Sequence, residues 1–197
     1  MGARLVVSIE KGGIEICNVY FHWSANTLDA YREMQKLTDI IETSEKTDPV
    51  LAIIYGLAKN GGGLTPEDEE FAKRRWPDED IPIAKNRNEG LVAVSAEQIA
   101  YSERWAEGTS TIYLDNHTCI NQLYNYYDSW QEMKLVYQLN DYDWQKDWDE
   151  AHFSNFSMVK WLGKPVPWAH LDDAISEIDD SLEYRNESGN LFFFEEC

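Results

Sequence analysis

Asp115, His117 and Cys119 stand at alternate positions, so on an extended strand all three side chains would leave the same face. Each can ligate a metal, and a Cys beside a His can become an activated nucleophile. A structural zinc site normally takes four ligands, however, and neighbours on one strand rarely converge on one ion without help from elsewhere. The plainer reading is a turn Asp, an exposed His and a core Cys, because a buried free Cys commonly behaves as a small hydrophobe.

His22 is the second candidate. Together with Ser24 and an acid such as Asp29 it has the composition of a hydrolase site, but His22 and Ser24 share a side only if the strand carrying them stays regular. No Gly-x-Ser-x-Gly elbow surrounds Ser24. A histidine that caps or bridges the strand end is the preferred reading, and a pocket lined by Arg4, His22, Trp23 and Ser24 is its functional rival. Gly61 to Gly63 follow an expected helix and lack a Gly-Lys-Ser/Thr ending, so they read as a helix stop and not as a phosphate loop. His152 and His170 lie among acids without His-x-x-x-His or Glu-x-x-His spacing, and no metal or cofactor is expected. Lys73, Arg74 and Arg75 form the one basic cluster.

The third candidate is the acidic end of the chain. Residues 141–197 hold 14 acids and 4 bases, against 22 acids and 13 bases in residues 1–140, so the last third is more than twice as acidic per residue. Trp144 and Trp148 sit one helical turn apart among Asp141, Asp143, Asp147 and Asp149. Asp172, Asp173, Asp179 and Asp180 recur on one side of an expected helix from Ala169 to Tyr184. Such a surface could steer and hold a basic, nucleic-acid-processing partner, although a solvated helix face is the simpler account.

These residues have to be positioned by an alternating pattern of strands and helices. Arg4 to Ser24 contains two runs rich in Val, Ile, Tyr and Phe around Gly12-Gly13, which predicts a hairpin. A two-residue loop pairs Lys11 with Ile14, Ile9 with Ile16, Val7 with Asn18, Leu5 with Tyr20 and Ala3 with His22. Leu5, Val7, Ile9, Ile14, Ile16, Tyr20 and His22 would then share one face, and Val6, Cys17, Val19, Phe21 and Trp23 the other, with both faces covered. Periodicity predicts a helix capped by Asn26 or Thr27 and running to Ile41. Asp48-Pro49 opens a buried helix from Val50 to Lys59, and Thr65-Pro66 opens another that ends by Trp76. The segment from Asp78 to Gly90 reads as an exposed, mobile lid. A strand from Leu91 to Val94 leads through a Ser95/Gln98 capping box to a helix from Ala96 to Ala106. A strand from Thr109 to Leu114 turns at Asp115-Asn116 and returns from Thr118, and a further helix runs from Asp128 or Ser129 to Leu139. Gly163 to Trp168 is read as irregular, and the final LFFFEEC as an edge strand or a packed tail.

Composition bounds the rest. A chain of 197 residues, 43% apolar and 13% aromatic, can bury one sizeable core, and no Gly/Ser/Pro linker divides it. Thirty-six acids against seventeen bases leave a formal charge of −19, which disfavours direct binding to nucleic acid or to an anionic membrane. Three cysteines, Cys17, Cys119 and Cys197, at wide spacing suit a reducing cytoplasm, and no stretch resembles a signal peptide or a membrane span.

Met1-Gly-Ala-Arg-Leu5, Tyr20-Phe-His-Trp-Ser-Ala25 and the strand Ile112-Tyr-Leu-Asp115 resemble parts of small uncharacterised proteins carried by bacteriophages and prophages. The resemblance covers about the first thirty residues and that strand. It implies no reaction or cofactor, but it does imply an early phage protein acting on a host process, where acidic inhibitors that imitate nucleic acid recur. The expectation is one cytoplasmic α+β domain over residues 1–197, with a mostly antiparallel sheet built on the hairpin. Its expected role is that of a non-enzymatic acidic inhibitor that docks on a basic nucleic-acid-processing or host-defence protein through Trp144, Trp148, Asp172, Asp173, Asp179 and Asp180. The alternative is a small hydrolase or ligand-binding domain whose pocket at the hairpin end uses His22, Ser24 and Arg4.

Overall fold

The computed structural model describes residues 4–25, 27–122, 161 and 163–188, with Thr27 and the residues after 179 described by backbone alone. Within them the chain forms a seven-stranded sheet with helices against it, an α+β fold. In chain order the strands are β1 (Leu5–Lys11), β2 (Ile14–Phe21), β3 (Gly63–Leu64), β4 (Leu91–Ala93), β5 (Gly108–Tyr113), β6 (Thr118–Asn121) and β7 (Val166–Pro167). Their spatial order is β3-β4-β2-β1-β5-β6-β7. The sheet is mixed rather than mostly antiparallel: β1 runs parallel to β5 and β3 parallel to β4, while the other four pairings are antiparallel. The correction follows from connectivity, because everything between residues 22 and 107 intervenes before β5 returns beside β1, and so long a crossover leaves a parallel pairing open.

The hairpin forms as expected around a two-residue loop in which Gly12 and Gly13 take φ of +61° and +74°, the positive values a primed hairpin turn requires. Its register differs from the expected one. Lys11 pairs with Ile14 and Glu10 with Glu15, then the register slips so that Ile9 faces Cys17, Val7 faces Val19, Val6 faces Tyr20 and Leu5 faces Phe21. Ile16 is the extra residue of a β-bulge. One inserted residue moves every later side chain to the opposite face. Cys17, Val19 and Phe21 therefore join Leu5, Val7 and Ile9 in the core, while Tyr20 and Asn18 lie on the face of Val6 and Ser8. Ile14, at the hairpin tip, is exposed.

Five helices are described: α1 (Thr27–Thr43), α2 (Pro49–Ala58), α3 (Glu69–Arg75), α4 (Ala96–Glu103) and α5 (Leu171–Ser188). On α1, Leu28, Tyr31, Met34 and Leu37 recur at helical spacing and are buried in the core with Leu5, Val7 and Ile9. On α2, Val50, Leu51, Ala52, Ile53, Ile54 and Leu57 are all buried, and Asp48 accepts the Val50 amide at 2.8 Å as its cap. Leu171, Ala174 and Ile178 of α5 complete the same layer. On the opposite face Asn18 is fully buried and α4 packs across β2 and β4, whereas the buried pair Ser110 and Asn121, bonded to each other at 3.1 Å, lies on the Val7 face.

Thr65-Pro66 opens a short 3-10 turn, Pro66–Asp68, before α3 begins. Gly61 to Gly63 end α2 as expected, but Gly63 and Leu64 then form β3, and Val166–Pro167 of the segment read as irregular form β7. Each is a two-residue strand, too short to show alternation. The segment 78–90 is laced to β3: Ala84 donates to Leu64 O at 2.9 Å, and Lys85 and Asn86 donate to Gly61 O at 2.8 and 2.9 Å. Among the described residues no helix is long and apolar enough to cross a membrane. The expected helix over 128–139 and the final LFFFEEC lie outside the described residues.

Candidate functional site

Ser95 caps α4 by accepting the Gln98 amide at 3.2 Å, and α4 is held over β2 by a polar contact rather than an apolar one. The Ser102 hydroxyl lies 2.9 Å from both Asn18 Oδ1 and the Ile99 carbonyl, and Asn18 Nδ2 donates to Ile99 O at 3.3 Å. Between α4, the strands β2 and β4, and the segment carrying Arg87 and Asn88, a cleft of about 410 Å³ remains open. Tyr20, Leu91 and Ala93 line its sheet side, and Gln98, Tyr101, Ser102 and Trp105 its helix side. Arg4 and His22 line it from the hairpin, and Thr65, Glu67, Arg87 and Asn88 complete the wall.

Arg4 is held by two hydrogen bonds to Glu107, from its amide to Oε2 and from Nη2 to Oε1, both 2.9 Å. Those bonds keep the Glu107 carboxyl below the usual carboxylate range. Glu107 and Gly108 in turn donate backbone amides to the Arg4 carbonyl at 2.7 and 3.1 Å, so this pair fastens the start of the parallel β1/β5 ladder. The Arg4 guanidinium also lies 5.9 Å from the centre of the Trp105 ring, at the outer edge of cation–π range. Trp105 and Tyr101, one turn apart, have ring centres 6.4 Å apart at an interplanar angle of 61°. Both rings are more than half exposed, which is unusual for large aromatic side chains without a ligand or partner to cover them.

His22 Nδ1 lies 2.8 Å from the Tyr20 hydroxyl. Burial pushes the Tyr20 phenol upward, so it stays protonated at neutral pH, and its oxygen can donate to a bare Nδ1 or accept from Nδ1–H. Trp23 packs edge-on against His22 at 4.6 Å. Ser24 turns away and donates to Glu33 Oε1 at 3.2 Å. Of the four residues expected to share a pocket, the structure brings Arg4 and His22 into the cleft, sets Trp23 behind His22 and directs Ser24 elsewhere. His22 faces a phenol, not a carboxylate or a nucleophilic hydroxyl, so the expected Ser-His-Asp composition is not assembled as a triad.

On the opposite wall the Thr65 hydroxyl donates to Glu67 Oε2 at 2.6 Å, and this bond, foremost, lowers the Glu67 carboxyl. Arg87 reaches the other oxygen of Glu67 at 3.5 Å from a position 75% exposed. The sequence offered no motif for Arg87, Tyr101 or Trp105. The available signal was the i, i+4 spacing of two aromatics at the end of a short helix of low apolar content, since such a segment presents its rings to something other than the core.

The remaining candidates are separated. Asp115 accepts the Gly12 amide at 2.5 Å and His117 takes a positive φ of 52° in the same turn, which breaks the strand alternation that would align the trio. His117 packs edge-on against Trp168 at 4.6 Å. Cys119 is buried in the core, its thiol pushed up to about 12 by burial. Among the described residues, no group of three His, Cys, Asp or Glu side chains could hold a metal ion.

On α5, Asp172 accepts from Gln35, Asp173 is bonded to His170 Nδ1 at 2.9 Å and Asp179 pairs with Arg32 at 3.1 Å. Trp144, Trp148 and His152 lie outside the described residues, as does the Asp180 side chain. A second hollow, between α1 and α2, is flanked by Arg32, Lys36 and Lys59, but it is more open and has no aromatic wall. No family model, no curated protein and no solved structure matches this chain.

Proposed function

We propose that the protein is a ligand-binding domain whose site is the cleft between α4, β2/β4 and the 84–90 segment. The supporting observation is convergence. Arg4, His22, Arg87, Tyr101 and Trp105 come from four stretches of chain and meet around one hollow of about 410 Å³, within the size range of small-molecule sites. Exposed rings and a few fixed polar groups are the usual ingredients of such sites. Binding rather than hydrolysis is favoured because His22 is bonded to the Tyr20 phenol and the serine and threonine hydroxyls in and beside the cleft are engaged elsewhere: Ser24 with Glu33, Ser102 with Asn18 and Ile99, and Thr65 with Glu67. The test is a thermal-shift screen of a small-molecule library. Compounds that raise the unfolding midpoint of the wild type should lose that effect on a Tyr101→Ala/Trp105→Ala double variant, and stabilisation that survives in the double variant would refute the site.

A second reading keeps the acidic surface as a docking site for a basic, nucleic-acid-processing or host-defence protein, consistent with a phage-encoded inhibitor. Its support is the net charge of −19 and the exposure of Asp172 and Asp173. It ranks second because Asp172, Asp173 and Asp179 each already have a partner within the chain. Replacing the three with Asn should weaken capture of a basic partner and flatten its salt dependence if this reading holds.

A further inference from the structure

Across the chain acids outnumber bases by 36 to 17, yet among the described residues the fully charged side chains lining the cleft are Arg4, Arg87 and Glu67. With Glu107 beside Arg4 the bases and acids balance there, so the acid excess of the whole chain does not extend to this lining. Resting on the reading of the cleft as a ligand site, we propose that its occupant is a planar aromatic or heteroaromatic molecule carrying one anionic group, with the ring against Trp105 and Tyr101 and the anion on Arg87.

The two arginines differ in availability. The Arg4 guanidinium donates to Glu107 Oε1 at 2.9 Å while the Arg4 amide holds the other carboxylate oxygen, so its charge is already committed to Glu107. Arg87 is largely exposed and makes one 3.5 Å contact with Glu67, a pair of the kind that contributes little and exchanges readily. Releasing it strands nothing: Glu67 keeps the Thr65 hydroxyl at 2.6 Å. A planar guanidinium then offers an incoming carboxylate, sulfonate or phosphate a two-point contact.

The rings supply the second half of the recognition. Trp105 and Tyr101 are half-exposed on the cleft wall, and a flat ring laid on them recovers apolar area that is otherwise wet. Gln98 and Asn88 line the same space, and their amides can read polar atoms on a heterocycle. The molecule's overall negative field would attract a cation from afar, but that field is screened beyond about 8 Å in physiological salt. Inside the cleft the nearest charges decide: Arg4 is matched by Glu107, and Arg87, held to Glu67 by a single 3.5 Å contact, can turn to an incoming anion.

The test uses anilinonaphthalene sulfonate and its uncharged analogue phenylnaphthylamine, titrated into the intact protein and followed by fluorescence. Both should bind at one site per chain, the sulfonate more tightly. Arg87→Gln should weaken the sulfonate by about tenfold, the scale of one lost charge-assisted hydrogen bond, and leave the uncharged analogue unchanged. Tyr101→Ala should weaken both. Arg87 is exposed enough that its substitution leaves folding intact, which circular dichroism verifies. If Arg87→Gln leaves the sulfonate affinity unchanged while Tyr101→Ala weakens both probes, the cleft reading survives and the anionic class is wrong. If neither probe binds, or binding ignores Tyr101→Ala, both readings fall.

Discussion

Removing the Asp68 carboxylate should loosen the cleft from behind. Asp68 is 1% exposed and its Oδ2 accepts the Val94 amide at 2.6 Å and the Ser95 amide at 3.1 Å. Those bonds tie the 3-10 turn after Thr65 to the junction of β4 with α4, the helix that carries Tyr101. A hydrogen bond to a charged group contributes about 1.5–3 kcal/mol, and stranding its buried partner adds to the cost of losing it. Both bonds vanish in Asp68→Ala, for an expected loss of about 3–4 kcal/mol, a large share of the 5–15 kcal/mol typical of a domain. Asp68→Asn keeps one acceptor oxygen in place while exchanging the other for an NH2 group and losing the charge, so about 1–2 kcal/mol should go. Urea denaturation would measure both variants, with an unchanged slope expected because the fold is the same. A loss below about 1 kcal/mol for Asp68→Ala, or equal losses for Ala and Asn, would show that the carboxylate is not the clamp described.

Gly12→Ala should cost about 1 kcal/mol through its positive φ alone, since a Cβ there meets nothing, whereas Gly90→Ala should cost more because its Cβ would lie 3.1 Å from Leu57 and Phe21; equal midpoint shifts in urea would be unexpected. The Glu107 carboxyl is depressed by Arg4, so its contribution is present above the ordinary carboxylate pKa and lost as pH falls through the folded value. Wild type should thus lose more stability than Glu107→Gln between pH 7 and about pH 3.5, and parallel losses in thermal melts would contradict this. Burial raises the thiols of Cys17 and Cys119, so in a Cys197→Ser background Ellman's reagent at about pH 8 should label neither until urea unfolds the chain. Rapid labelling of the folded protein would show that the core opens. Asn at Asp172, Asp173 and Asp179 should change stability by under about 1 kcal/mol, because those pairs are exposed.

Much of the fold could be read from local residue choices. Gly12-Gly13 announced the hairpin, Asp48-Pro49 and Ser95 with Gln98 announced helix starts, and the apolar faces of α1, α2 and α5 announced what they cover. The register could not be read, because Ile16 fits either side of a strand by composition and only the packed sheet shows it bulged. The parallel pairing of β1 with β5 was hidden for a related reason: Arg4 and Glu107 are 103 positions apart, and nothing local marks them as partners. The cleft inherits that difficulty. Arg4 and His22 stood out at the hairpin, whereas Arg87, Tyr101 and Trp105 become its neighbours only when β4, α4 and β5 close around it. The acidic helix was visible in the sequence, but Arg32 and Gln35, which occupy two of its aspartates, lie about 140 residues away.

The most direct measurement is a nitrogen–proton NMR titration of the labelled protein with a compound that raises its unfolding temperature. Shifts should gather on the Trp105 indole and on the amides of His22, Arg87, Asn88, Tyr101 and Ser102, while α5 stays still. Shifts confined to Asp172, Asp173 and Asp179, with the cleft resonances unmoved, would contradict the cleft reading.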